Sequence, residues 1–413
     1  MQASTARNLT LYPWFKLFQN LLFWQAIWFL FFQQTLSAAD AILLYAVYDL
    51  STTALEVPSG FMSDRLGRKI TLVASAIMAF VGTLFFVFGA SFPSFVLGQI
   101  LLGASSAFVS GTDSSILYES LAAEERSSEV EAHELRAWRF NFSGLAISAV
   151  TGGVFALWSF VLPFAVSAVA MAIAILVAFQ FAEPPRAIRD GGLKKGITIL
   201  ASLRAAFVQP VLVWLFILSV LMYTFSHIPF VFGQPFILEA MDRFGLAAEA
   251  PLFSGVVTSI MMVVSVAVSL IAPRLRTLLG LPLLLLIAFG LQIAIAAVLA
   301  MTNATAAIAI LFLRMVPSSL SGPFILARIQ PLLRNETRAS YLSFQSLCGR
   351  LAFASSLWVA SSTASEIGNL VHADISRILG WYVVAGLICL LALSVGLMFA
   401  TIEQKGTGEI PKQ

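Results

Sequence analysis

Charged side chains are scarce in this chain, yet several fall inside stretches apolar enough to cross a bilayer. In the first half these are Asp49, Glu56, Asp113, Glu119, Arg136 and Arg139; in the second half they are His227, Arg314 and Arg350. An ionisable group in hydrocarbon is costly, so each needs a partner or a task. A desolvated carboxylate can exchange protons near neutral pH. Asp113, after the small polar patch Ser110-Gly111-Thr112, is the best-placed candidate for a proton or cation site. The competing reading is a permanent ion pair with Arg139 or Arg350. Asp49 and Glu56 are seven apart and share one helix face two turns apart. Glu56 lies toward the mouth, within reach of the arginines that follow it. Glu119, near the end of its span, reads as a gate or surface partner. Arg314 and Arg350 cannot give up their protons, so each calls for an acid, a carbonyl dipole or an anionic substrate group. Arg350, after Gly349, reads as the more central. His227, before Ile228-Pro229, is either a hydrogen-bonded pore residue or a group that titrates near physiological pH.

The elements that carry these groups must be membrane helices. Of 413 residues, 59% are hydrophobic and 11% charged, and mean hydropathy is +0.91. A soluble domain is about 45–50% apolar and about 25% charged. With a net charge of only +3, no nucleic-acid partner is expected. Cys348 and Cys389 lie in apolar segments without metal-ligand spacing and read as packing thiols. Neither a phosphate-binding loop nor a G-x-S-x-G, H-E-x-x-H or Cys/His cluster occurs. An enzyme is therefore not expected, nor are a cofactor and a metal site.

Apolar runs predict spans over 15–36, 40–61, 70–91, 93–120, 135–157, 159–181, 209–238, 251–272, 282–301, 305–326, 339–362 and 378–401. Pro93, Pro163, Pro251, Pro273 and Gly380 mark ends. The first run follows Arg7 and Lys16 but has no small-residue cleavage site, so it is read as an uncleaved helix. One set of loops carries Arg65, Arg68, Lys69, Arg126, Arg186, Arg189, Lys194, Lys195, Arg204, Arg274, Arg276, Arg328, Arg334 and Arg338; the alternate set carries Arg243 and Arg377. That asymmetry places both termini in the cytoplasm and requires an even number of spans. Residues 183–208 read as a cytoplasmic linker between a bundle over 1–182 and another over 209–413, with 196–207 a possible surface helix or plain tether. Faint echoes link Ser110-Gly111 to Ser321-Gly322 and Ser63-Asp-Arg-Leu to Ala272-Pro-Arg-Leu, at offsets of about half the chain.

Between the second and third runs stands Gly60-Phe-Met-Ser-Asp-Arg-Leu-Gly-Arg-Lys69. Gly60 suits close helix approach and Gly67 a sharp turn. Asp64 could face a helix N-terminus, while Arg65, Arg68 and Lys69 could pair with acids and lipid phosphates. A basic anchor alone explains neither Asp64 nor the glycines. The pattern G-x-x-x-D-R-x-G-R-K resembles the signature loop of the major facilitator superfamily, and the resemblance extends over essentially the whole chain. It implies an all-α membrane fold of twelve helices in two pseudo-symmetric six-helix bundles, and a latch in which Asp64 stabilises the outward-facing state. Glu56-Val-Pro-Ser-Gly60 is similar to an element of bacterial efflux-type members. Gln99-Ile-Leu-Leu-Gly103 is similar to an R-x-x-x-G element, with Gln99 where that family usually has arginine. Gly144-x-x-x-Ser148-Ala149-x-x-Gly152-Gly153 partly matches an antiporter motif and equally suits close helix packing.

The resemblance implies a secondary transporter that works by alternating access in the plasma (inner) membrane. Protons or another ion would be the coupling partner, and a monomer is sufficient. In that family helices 1, 4, 7 and 10 line the cavity, so Trp24, Tyr45, Tyr223 and Phe225 become cavity candidates. Aromatic walls suit an amphipathic organic substrate. The leading expectation is proton-coupled export of such molecules. An importer or exchanger of a metabolite, siderophore or organic anion held by Arg350 is the alternative; a non-transporting receptor or scaffold is a third.

Overall fold

The computed structural model describes residues 5–185, 204, 207–329, 332–333, 335–362, 370–400 and 402. Arg186, Arg189, Lys194, Lys195, most of the 196–207 segment and the side chain of Asp64 lie outside the described set. Among the described residues the regular elements are helices. All twelve predicted spans have helical counterparts. Span 1 comprises Thr5–Gln19, a 3-10 turn at Phe23–Ala26 and Trp28–Gln33. Spans 2 and 3 are Ala38–Leu66 and Arg68–Phe88. Span 4 comprises Phe92–Val109 and Thr112–Ala123. Spans 5 to 9 are Val130–Ala156, Leu162–Phe179, Pro210–Asp242, Ala250–Leu279 and Leu281–Met301. Span 10 joins the 3-10 stretch Thr305–Leu313 to Val316–Ile329. Spans 11 and 12 are Asn335–Ser361 and His372–Gly396.

Eight of the spans are long and apolar enough to cross a membrane by composition alone. The other four are spans 1, 2, 5 and 11. Span 1 is broken, and spans 2 and 11 carry Asp49, Glu56 and Arg350. Along span 12, Trp381, Ile388 and Leu391 are exposed, which lipid accommodates and water would not.

Several boundaries differ from expectation. Pro93, Pro163 and Pro251 open helices, where a missing N–H costs nothing. Pro273 and Gly380 instead lie inside spans 8 and 12. Span 1 starts ten residues earlier than predicted, because Asn8 holds that end. Its side-chain amide donates to Ser120 Oγ and the Ala182 carbonyl, and its oxygen accepts from Ala182 N, all at 2.8 Å.

The internal repeat is structural. Spans 3 and 9 are each 21 residues long, running from 68 to 88 and from 281 to 301. Each follows a one-residue turn: Gly67 (φ 114°, ψ 157°) and Gly280 (φ 75°, ψ 156°). Only glycine enters this backbone region without strain. The structural counterpart of Gly67 is thus Gly280, and the Ala272-Pro-Arg-Leu echo lies one helical turn out of register with it.

The halves meet through span 2 against span 11 and span 5 against span 8. Spans 5 and 8 touch backbone to backbone. An added Cβ at Gly255 would come within 2.4 Å of the Ala149 carbonyl, and one at Gly153 within 2.7 Å of the Pro251 carbonyl. Gly152 and Gly144 likewise press on the backbone of span 1 at Phe23 and Leu17. The glycines of the partial antiporter motif therefore serve close packing.

Candidate functional site

Span 2 is a continuous helix from a Ser37 cap whose hydroxyl accepts from Asp40 N at 3.1 Å. It carries Asp49 to mid-depth. There Asp49 Oδ1 accepts from Arg350 Nη1 and from Tyr223 Oη, each at 3.1 Å. The acid belongs to the first half; both donors belong to the second. Gly349 lets span 11 approach Tyr223, whose Cβ lies 3.1 Å from where a Gly349 Cβ would stand. The Arg350 guanidinium lies 5.6 Å from the centre of the Tyr223 ring, within cation–π range. Asp49 Oδ2 and Arg350 Nε are buried with no hydrogen-bond partner among the described residues. Arg350 is therefore a partner of Asp49, and the expected alternative pairing with Asp113 does not occur.

His227, one turn beyond Tyr223, lies tilted against its ring at 4.3 Å and against Phe353 at 5.1 Å. Its Nδ1 lies 2.7 Å from the Tyr223 carbonyl. A carbonyl only accepts, so Nδ1 is the donor in this contact.

Asp113 sits elsewhere. Span 4 breaks at Ser110 and Gly111, the latter at φ 72°. Asp113 opens the second segment, where Oδ1 accepts from Ser114 N at 2.7 Å and Oδ2 pairs with Lys16 Nζ at 2.5 Å. The sequence pattern does not single out Lys16 as a site residue, and Arg139 is exposed on span 5.

The signature loop forms a network inside the first half. Arg68 pairs with Glu119 at 3.0 Å and donates to Ser63 Oγ at 2.7 Å. Glu119 is thus the partner of the loop, whereas Glu56 makes no ion pair among the described residues. The carboxylate of Glu183 accepts from Arg68 N at 2.7 Å and Lys69 N at 2.9 Å, satisfying the open N-terminus of span 3. The sequence offers no signal for Glu183 beyond its place at the start of the linker. Arg65 is exposed on the same loop. Among the described residues an added Cβ at Gly60 meets nothing within 4 Å, so no close approach at Gly60 is seen among them in this conformation. Gly103 does make one: its Cβ would lie 2.7 Å from the Tyr48 carbonyl of span 2. Gln99 is buried, and neither side-chain polar atom has a partner among the described residues.

Two aromatic candidates prove to be core. Trp24 packs between Trp28 and Phe164 inside the first half, because the break before Phe23 resets the helix phase. Phe225 packs on Phe289 and Tyr382 inside the second half. Tyr45 remains at the junction, edge-on to Phe230 of span 7 at 5.6 Å. Arg314 stands at the joint between the two segments of span 10, its guanidinium 5.1 Å from the Phe230 ring centre.

Other bridges lie toward the face opposite the basic loops. Gln234 of span 7 accepts from Phe29 N at 2.7 Å and donates to the Gln25 carbonyl at 2.9 Å. Together with the Gly153 and Gly255 contacts, they hold the halves shut on that side.

A sequence profile of the major facilitator superfamily matches residues 14–357. The chain belongs to the major facilitator superfamily. It is a multi-pass membrane transporter fold and not an enzyme. Solved superfamily structures share the fold at low identity. The nucleoside transporter NupG is 14% identical, with a TM-score of 0.73 over 94% of this chain and 99% of that one. The D-xylose–proton symporter is 15% identical, with 0.70 over 97% and 99%. A bacterial homologue of the human lysosomal transporter Spinster, in an inward-facing conformation, is 15% identical, with 0.68 over 96% and 96%. No curated protein matches by sequence. In this superfamily member, spans 1, 4 and 10 are all discontinuous, and span 7 contains Pro229 and Pro235. Irregular backbone at membrane depth is tolerated where it lines a cavity.

Proposed function

We propose that this chain is a proton-coupled carrier of small amphipathic organic molecules, with Asp49 as the proton site. The observation that carries the reading is the cross-half lock: one carboxylate from span 2 held by Arg350 and Tyr223. Protonating Asp49 removes the charge that Arg350 pairs with and weakens the link between spans 2 and 11. Deprotonation restores it. Asp113, the sequence favourite, is engaged by Lys16 within one half, so its charge state does not report on whether the halves are joined.

The bundles over 1–182 and 209–413 are the moving bodies, tethered by 183–208. Contacts at Gln234, Gly153 and Gly255 support a conformation closed opposite the basic loops. The exposure of Gly60 supports one open toward them. With the basic loops cytoplasmic, this is an inward-facing state of a plasma-membrane protein, and closure would bring Gly60 and Asp64 toward the second half. Aromatic groups at the junction, Tyr45, Tyr223 and Phe230, favour an amphipathic substrate. Efflux is the preferred direction, on the likeness of Glu56–Gly60 and the span 5 motif to exporters. Exchange or import of an organic anion is the second reading, favoured by Arg314.

Proteoliposomes carrying an internal pH dye, screened with amphipathic acids, bases and neutral compounds, test the proposal. Substrate-triggered proton movement is expected. Substrate movement without it would overturn the coupling.

A further inference from the structure

We infer that Arg314 is the anchor of an anion subsite, taking the carboxylate of an amphipathic organic acid. The inference rests on the transporter reading but not on proton coupling at Asp49.

Among the described residues the Arg314 side chain makes no hydrogen bond and no ion pair; it lies against the face of Phe230. A guanidinium deep in a membrane bundle without a counter-charge is costly. Tyr45 and His227 are its electrostatic neighbours, and neither supplies a carboxylate. The side chain lines a cavity between the halves, walled by Phe230, Leu311 and Met261 and edged by Gln25 and Ser254.

Two further polar groups there are uncommitted. Gln25 Oε1 is buried without a partner among the described residues, and a turned amide presents its NH2 instead. The Ser254 hydroxyl has no partner among the described residues, although its carbonyl accepts from Thr258. A guanidinium, a hydroxyl and an amide thus line one cavity, a donor set that fits a carboxylate. Phe230 and the aliphatic walls provide for an apolar body beside it. Arg350 lacks this freedom, because Asp49 already holds it. The cavity measures about 20 Å³ in this conformation. That is space for about one water, so the head of such an acid would enter as the junction of spans 1, 7 and 10 opens further in the transport cycle. A cation would meet Arg314 unfavourably, and a neutral amide would leave it unpaired.

The test uses the purified full chain in detergent, with 1-naphthoate as probe and 1-naphthamide and 1-naphthylmethylamine as matched neutral and cationic controls. Saturable thermal stabilisation by naphthoate alone is expected. Arg314→Gln should weaken its apparent affinity roughly tenfold to hundredfold, and Arg314→Lys less. If Arg314→Gln is not monodisperse, Ser254→Ala and Gln25→Leu carry the test, each with a few-fold loss expected. Equal stabilisation by the amide, no naphthoate effect, or full retention in a folded Arg314→Gln would overturn the subsite. Naphthoate binding through Arg314 without proton flux would overturn the coupling proposal and leave the subsite standing. Proton-coupled movement of neutral or cationic compounds with no naphthoate effect would do the reverse.

Discussion

Asp49 and Arg350 stand 301 positions apart in the chain and meet at 3.1 Å across the junction of the two halves. Breaking one side of a buried pair leaves the other charge uncompensated, at a cost of about 3–5 kcal/mol. Arg350→Gln alone should therefore lower thermal stability in detergent. The Asp49→Asn/Arg350→Gln double variant should recover much of the loss, because no lone charge remains. Purely additive losses would show that the pair is not coupled.

Lys16 and Asp113 form the contrasting case. Their pair joins spans 1 and 4 of the same half, and its side chains retain 22% and 10% exposure. With that partial screening, Asp113→Asn should cost about 1–2 kcal/mol. It should leave the pH dependence of transport unchanged. A shifted pH–rate profile in Asp113→Asn, with Asp49 intact, would return Asp113 to the role its sequence context suggested.

Where the loop between spans 2 and 3 meets span 4, Arg68 and Glu119 are half-buried, so their pair contributes only about 1 kcal/mol. Arg68→Glu should reduce transport several-fold with little change in unfolding temperature, and Glu119→Arg in the same chain should restore part of it. Failure of the exchange to restore anything would separate Glu119 from the working of the loop.

The two one-residue turns make a backbone prediction. Gly67→Ala and Gly280→Ala each force a side chain into a region that only glycine occupies freely, at about 1–3 kcal/mol. The two losses should add, since the turns belong to different halves. Gly60→Leu should behave differently. Gly60 is exposed, so stability should hold while transport falls, because the added bulk obstructs closure on the basic side. Unimpaired transport by Gly60→Leu would remove that closure from the mechanism.

Much of this architecture was legible in the residues. Span positions followed from apolar length, and the turn at Gly67 from a charged decapeptide between two such lengths. Asp49 and Arg350 were visible as buried charges, but not as partners. Periodicity places a residue on a face of its own helix and says nothing of which distant helix that face meets. The same blindness hid Lys16, which reads as the flank of an apolar run, and Glu183, an acid in a linker without pattern. Trp24 and Phe225, cavity candidates by the family resemblance, each pack within their own half in this conformation. The break in span 1 turns Trp24 into the core of its own half, and Phe225 faces spans 9 and 12.

The most direct test of the central claim is substrate-triggered proton flux in proteoliposomes containing the Asp49→Asn protein. A carboxylate that carries the proton cannot be replaced by an amide. Flux should disappear while downhill substrate exchange continues, since the neutral amide leaves the halves free to rock. Wild-type proton flux from a well-inserted Asp49→Asn protein would contradict the account.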